Sequence, residues 1–359
     1  APTITAIQTT AFSWGSVLNA TEDNSDGTVS VTTSGAEDGQ TLTITLNGAT
    51  YTNIVSSNAS TVTISAAGLQ ALTNGSSYTL TADVSDTAGN AATQVTSSSF
   101  SVETIAPTIT AIQTTAFSWG SVLNATEDNS DGTVSVTTSG AEDGQTLTIT
   151  LNGATYTNIV SSNASTVTIS AAGLQALTNG SSYTLTADVS DTAGNTATQV
   201  TSSSFSVETI APTISGVSLA ADNSTLTVTM SEAVYNTNGG SGSIEMSDFA
   251  LSISGGVASI NATPSTISSS GNEYTLGLTI SGTPNGSETL TVVPSSSSAI
   301  YDLAGNAAST TQSNNTVSLN DTSPPTLSNV SIVSNNTTNT LAKAGDEITL
   351  TFTASETIN

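Results

Sequence analysis

The sequence predicts an all-β chain of tandem Greek-key β-sandwiches. Three observations carry this: strand and turn formers dominate, apolar residues alternate in short runs, and one block of 105 residues is written twice. Thr and Val suit pleated strands, while Gly and Asn suit turns. Hydrophobic residues make up 36% of the chain and sit in alternating runs, which a disordered sequence would lack. A length of 359 residues fits three to four domains of about 100 residues each.

Taken in order through the first block, Val29 and Val31 mark one inward-facing set. Leu42, Ile44 and Leu46 mark another, with Thr41, Thr43 and Thr45 pointing the opposite way. Val62 and Ile64 form a third set, and Tyr78, Leu80, Ala82 and Val84 a fourth. Residues 66–72 are the one helical candidate, at most two turns long. Turn signals separate these runs at Ser25-Asp26-Gly27, Glu37-Asp38-Gly39, Asn47-Gly48, Asn74-Gly75 and Ala88-Gly89-Asn90. About seven short strands with turns this frequent read as a Greek-key sandwich.

Residues 1–105 recur as 106–210 with Ala91 replaced by Thr196 as the single change. The period is far longer than that of a solenoid unit, so each copy must bury its own core. A third unit, 211–322, opens with Ala211-Pro212-Thr213-Ile214 and then diverges. Its Asp302-Leu303-Ala304-Gly305-Asn306 repeats the pattern of Asp86-Thr87-Ala88-Gly89-Asn90 and Asp191-Thr192-Ala193-Gly194-Asn195. Residues 323–359 read as the incomplete start of a fourth domain, too short to close a core, so the natural polypeptide is expected to continue. Ala1 is likewise expected to begin a mature fragment. The linker at 103–107 is short and contains Pro107, which makes a stiff joint, with the domains arranged end to end.

Charge and missing residue types exclude most function classes. One Lys (Lys343), no Arg and 27 acidic residues give −26, so nucleic acid is excluded and an anionic membrane surface disfavoured. Cations are the partners such a chain suits, although acidity alone would also serve solubility. With no Cys and no His there is no thiol nucleophile, no Ser/His triad and no zinc site. No apolar run reaches 18 residues, so direct membrane insertion is not expected. The chain is expected not to be an enzyme. A hard, oxygen-ligated ion such as Ca²⁺ is a candidate for stabilising disulfide-free domains.

The phrases Trp14-Gly15-Ser16-Val17-Leu18-Asn19, Glu37-Asp38-Gly39-Gln40-Thr41, Asn47-Gly48-Ala49-Thr50-Tyr51-Thr52, Leu69-Gln70-Ala71-Leu72 and Val84-Ser85-Asp86-Thr87-Ala88-Gly89-Asn90 resemble a known family. They resemble the bacterial immunoglobulin-like extender domains of giant calcium-dependent RTX-type adhesins and related biofilm proteins. The third and fourth units are similar to neighbouring subtypes, through Ser231-Glu232-Ala233-Val234 and Ser355-Glu356-Thr357-Ile358. The resemblance implies immunoglobulin-like sandwiches acting as a spacer at the surface of a bacterium, with structural Ca²⁺ stiffening the joints. The surface or cell ligand would be bound by parts outside this segment.

Topology then places the acidic loops. In such a sandwich the chain enters at one pole and leaves at the other. Glu37-Asp38 and Asp86 with Asn90 fall at the N-terminal pole; Glu22, Asp23, Asp26 and Glu103 fall at the C-terminal pole. Stacking would bring opposite acidic poles together, which a cation would relieve. The expected ligand set is therefore Glu22, Asp23, Asp26, Asp86, Asn90 and Glu103 in the first copy and Glu127, Asp128, Asp131, Glu142, Asp143, Asp191, Asn195 and Glu208 in the second. Glu232, Asp302 and Asn306 join it from the third unit. The alternative reading of Asp-x-Ala-Gly-Asn is a tight turn and nothing more. Glu22-Asp23-Asn24-Ser25-Asp26-Gly27 is not an EF-hand loop, because no Glu follows at position twelve. Phe12 and Trp14 are read as core residues and not as a sugar platform. Competing functions are a carbohydrate- or protein-binding module and a subunit of an S-layer or filament.

Overall fold

The computed structural model describes residues 1–357, so Ile358 of the Ser-Glu phrase lies outside the described residues. Contacts divide the chain into two compact units, Ala1–Glu208 and Thr209–Asn359. The all-β expectation is borne out: strands form many small sheets, and the α-helices are short, Ala66–Gln70 and Ala171–Gln175.

In the first unit each repeat builds the same layers. In repeat 1, Thr3–Ile4, Gly27–Ser34 and Ala59–Ile64 make one antiparallel sheet. Ala49–Ile54, Thr41–Leu46, Leu80–Asp83 and Val95–Thr96 make the second. Phe100–Val102 pairs with Ser77–Tyr78 antiparallel and with Val17–Leu18 in parallel. The alternating residues point where the pattern requires: Val29, Leu42, Ile44, Val62 and Ile64 are wholly buried between the layers.

One expected strand divides. The run from Tyr78 to Val84 is two strands, Ser77–Tyr78 in the smaller sheet and Leu80–Asp83 against Thr41–Leu46. The chain changes sheets at Thr79, as strands do at the corners of a sandwich, and alternation continues through the bend, which hides it from the sequence. The helix is also shorter than residues 66–72. Ser65 caps it by accepting from the Gly68 N–H, and Ala71 closes it.

Phe12 and Trp14 belong to the core. Their rings stack 5.2 Å apart, Phe100 lies edge-on to both, and Trp14 is 4% exposed. The strand at Gly27 passes so close that a Cβ there would sit 2.6 Å from the Trp14 ring.

In the second unit, Ile214–Leu219, Thr225–Met230, Glu273–Gly277 and Ile267–Ser270 make one sheet. Phe249–Ser254, Thr289–Pro294 and Thr316–Ser318 make the facing one. Met230, Val234, Phe249, Leu276 and Val292 lie in the core between them. Leu327–Ser334 and Ile348–Ala354 form a separate two-stranded hairpin.

Candidate functional site: the joint between the repeats

The N-terminal pole of each repeat is organised by the Asp-x-Ala-Gly-Asn turn. In repeat 1 the Asp86 carboxylate accepts from the Asn90 backbone N–H at 2.7 Å and from its amide Nδ2 at 2.8 Å. Gly89, with φ of 83°, makes the left-handed step that lets the chain reverse. The same bonds recur at Asp191 and Asn195, and at Asp302 and Asn306. Beside this turn Glu37 accepts from the Thr87 N–H at 3.0 Å, as Glu142 does from Thr192.

What distinguishes the two copies is burial. Asn90 is exposed, whereas Asp191 and Asn195 are each 4% exposed. Repeat 1 supplies the cover. Asn195 Oδ1 accepts from the Ala20 N–H at 2.8 Å, and its Nδ2 donates to the Glu103 carbonyl at 2.9 Å. In the other direction Asn19 Nδ2 donates to the Ala193 carbonyl at 3.0 Å. Two asparagines, one from each repeat, thus lock the poles together. The linker is pinned as well: Asn74 Oδ1 accepts from the Thr104 N–H at 2.6 Å, and Glu103 Oε1 accepts from the Ile105 N–H at 3.0 Å.

Several of the acidic residues expected as ligands accept instead from main-chain N–H groups of their own repeat. Glu22 accepts from the Asn19 N–H and Glu127 from that of Asn124, each at 3.0 Å. Asp26 and Asp131 accept from Ala66 and Ala171, the first residues of the short helices. Asp143 accepts from Ser162 at 2.7 Å. Asp23 and Asp128 sit in the same loops as Glu22 and Glu127, with their carboxyls pushed up by partial burial. Glu208 donates its N–H to the Leu123 carbonyl, and Glu232 is half-buried. Among the described residues no three acidic side chains come close enough together to hold a metal ion. The nearest approach to the expected arrangement is a cleft of about 290 Å³ at the joint, lined by Glu103 of repeat 1 and Glu142 of repeat 2 together with Ser101 and Thr192.

Burial pushes the Glu142 carboxyl up, but its bonds from Thr192 outweigh this and hold it below the ordinary value. Glu37 is held down chiefly by the Thr87 N–H. The sequence brought Asn195 and Glu103 to one joint by topology. It missed Asn19, whose only local signal is its place at the end of a strand next to an acidic turn.

No protein-family model and no curated protein matches the chain. Solved structures do. One, described as "Ca2+-stabilized adhesin helps an Antarctic bacterium reach out and bind ice", is 25% identical, with a TM-score of 0.47 over 89% of this chain and 73% of that one. A second, concerning "host cell surface retention of a 1.5-MDa bacterial ice-binding adhesin", is 23% identical, with a TM-score of 0.41 over 89% and 94%. A third, a bacterial immunoglobulin-like domain of the M. primoryensis ice-binding adhesin, is 30% identical, with a TM-score of 0.21 over 29% and 95%. The chain is similar to immunoglobulin-like and repeat domains of large bacterial adhesins.

Proposed function

We propose that this chain is a structural extender of a large secreted adhesin at the bacterial cell surface. Its domains are 1–105, 106–210, 211–322 and the opening of a fourth at 323–359. Its task is spacing and stiffness, without catalysis. The observation that supports this reading is the joint between two nearly identical repeats. There the side chains of Asn19 and Asn195 bond to main-chain atoms of the opposite repeat. A binding site duplicated almost without change would gain little from such a lock, whereas a spacer depends on it.

Because the sequence has no cysteine, Thr52→Cys and Thr157→Cys give a unique pair of spin-label sites at equivalent exposed positions in the two repeats. Pulsed dipolar spectroscopy is expected to give a narrow distance distribution. Asn195→Ala should at least double its width, and Asn90→Ala should leave it unchanged. Equal widths in all three proteins would remove the basis of the reading.

Calcium has a narrower place in this proposal. Glu103 and Glu142 line one cleft from opposite repeats, and a divalent cation there would offset their mutual repulsion. Two carboxylates fall well short of the six to eight oxygens calcium takes, so the residues present do not make a closed site. EDTA is therefore expected to broaden the distance distribution less than Asn195→Ala does. A collapse of the joint on chelation would show that the ion, and not the asparagine pair, holds the repeats together.

A further inference from the structure

The dipeptide Asn-Gly occurs twice in each repeat, and the fold treats the two occurrences differently. Asn47-Gly48 is the two-residue turn that joins Thr41–Leu46 to Ala49–Ile54, with Leu46 opposite Ala49. Asn74-Gly75 lies in the loop before Ser77–Tyr78. Asn152-Gly153 and Asn179-Gly180 are their equivalents in repeat 2.

At the turn, Asn47 has φ of 49° and Gly48 φ of 81°, and Asn152 and Gly153 repeat this with 49° and 80°. Two successive positive values mark the type I′ hairpin turn. Both residues are exposed, and apart from its chain neighbours no atom comes within 4 Å of the place a Cβ on Gly48 would take. Among the described residues, neither the Asn47 side chain nor the Gly48 N–H has a hydrogen-bond partner. At the other dipeptide both groups are held. The Gly75 N–H donates to the Val102 carbonyl at 2.8 Å, and Asn74 Oδ1 accepts from the Thr104 N–H at 2.6 Å. The Gly180 N–H donates to the Val207 carbonyl, also at 2.8 Å.

A main-chain amide nitrogen can attack the side-chain carbon of the asparagine before it. The five-membered ring that forms needs ψ of that asparagine near about −120°, the value found at the first central position of a type II′ turn, where φ is positive. Asn47 already has the φ. Rotating the one peptide plane between Asn47 and Gly48 converts type I′ to type II′, and glycine takes the change in the sign of its own φ at little cost. Both turns close a two-residue hairpin, so the flanking strands keep their register. The same rotation at Asn74-Gly75 would break the bond to Val102.

We propose that Asn47 and Asn152 are sites of spontaneous, enzyme-free deamidation, and that the fold protects Asn74 and Asn179. The deprotonated Gly48 nitrogen forms a bond to Asn47 Cγ, the Cγ–Nδ2 bond breaks, and the amide takes up a proton and leaves as ammonia. Solvent water then opens the succinimide ring at either of its carbonyls, giving aspartate or isoaspartate. Nothing is oxidised or reduced, and water is the only other reactant. Each event replaces a neutral side chain with a carboxylate. Every copy of the block can thus add negative charge at its hairpin tip, in a chain that already carries −26.

The test incubates the full chain at mildly alkaline pH, where more of the attacking nitrogen is deprotonated, and follows the mass of each asparagine by peptide fragmentation. The repeats yield the same peptides here, so Asn47 is read together with Asn152, and Asn74 with Asn179. The turn pair should convert at least tenfold faster than the loop pair, and an isoaspartyl methyltransferase should label the product. In concentrated guanidinium chloride, where the fold is lost, the two pairs should convert alike. Equal rates in the folded chain overturn the proposal. A tenfold difference that persists in guanidinium chloride overturns its origin in the fold. Conversion of the turn pair to aspartate with no isoaspartate overturns the ring route, because direct hydrolysis gives aspartate alone.

Discussion

Asn90 and Asn195 offer a comparison at the residue scale that few proteins supply: one residue in one sequence context, with and without a neighbour. Both brace the same turn, but only Asn195 also answers the Ala20 N–H and the Glu103 carbonyl. Removing it leaves those main-chain groups without their partner, at a cost of about 1–3 kcal/mol, whereas Asn90→Ala gives up only turn bonds worth about 1 kcal/mol. Calorimetry should therefore show Asn195→Ala lowering the melting of repeat 2 more than Asn90→Ala lowers that of repeat 1. Glu288 sets a second residue-scale expectation. Burial pushes its carboxyl up, but the N–H groups of Val257, Asn285 and Ala258 outweigh burial and hold it below the ordinary value. A folded pKa below the unfolded one stabilises above the ordinary glutamate range and stops doing so as pH falls through the folded value. Thermal melts from pH 7 to pH 3 should show the sandwich whose core runs from Ile214 to Leu319 losing stability on the acid side. Glu288→Gln should flatten that limb and lower stability at neutral pH, because its amide NH₂ would face a backbone donor.

At the scale of elements, Gly27 shows how one residue joins a strand to an aromatic cluster. Its strand crosses the Trp14 ring at a distance that admits no Cβ, and Trp14 is held between Phe12 and Phe100. Gly27→Ala should overpack the core by about 1–3 kcal/mol, and Gly132→Ala should do the same in repeat 2, each seen as a lower melting temperature of its own repeat. The strands themselves were legible in the sequence because one face is buried and the other wet: Leu42, Ile44 and Leu46 against Thr41, Thr43 and Thr45 allow one orientation. The sheet change at Thr79 was not legible, because a bend that keeps the alternation leaves no mark in it. The candidate site was legible only in part. Acidic loops announce themselves by composition, and topology sent Glu103 and Asn195 to one joint. Nothing local marks Asn19 as the partner of Ala193, 174 residues away, since a contact between two rigid domains has no period in the chain.

At the scale of the molecule, the buried side chains fall into three clusters with no residue in common, one in each repeat and one in residues 214–319. A net charge of −26 with a single Lys sets every part of the chain against every other. Raising the salt shortens the reach of that repulsion from about 30 Å at 0.01 M to about 8 Å at 0.15 M, so melting temperatures should rise over this range. A fall would mean that attractive pairs outweigh the net charge. The asparagine lock has a consequence for how such a chain can grow. Its three cross-repeat bonds all end on main-chain atoms, and each repeat carries both the Asn of its N-terminal pole and the Asn of its C-terminal pole. A block copied whole by unequal recombination therefore arrives with both halves of its own coupling, and needs no matching change in its neighbour to be joined.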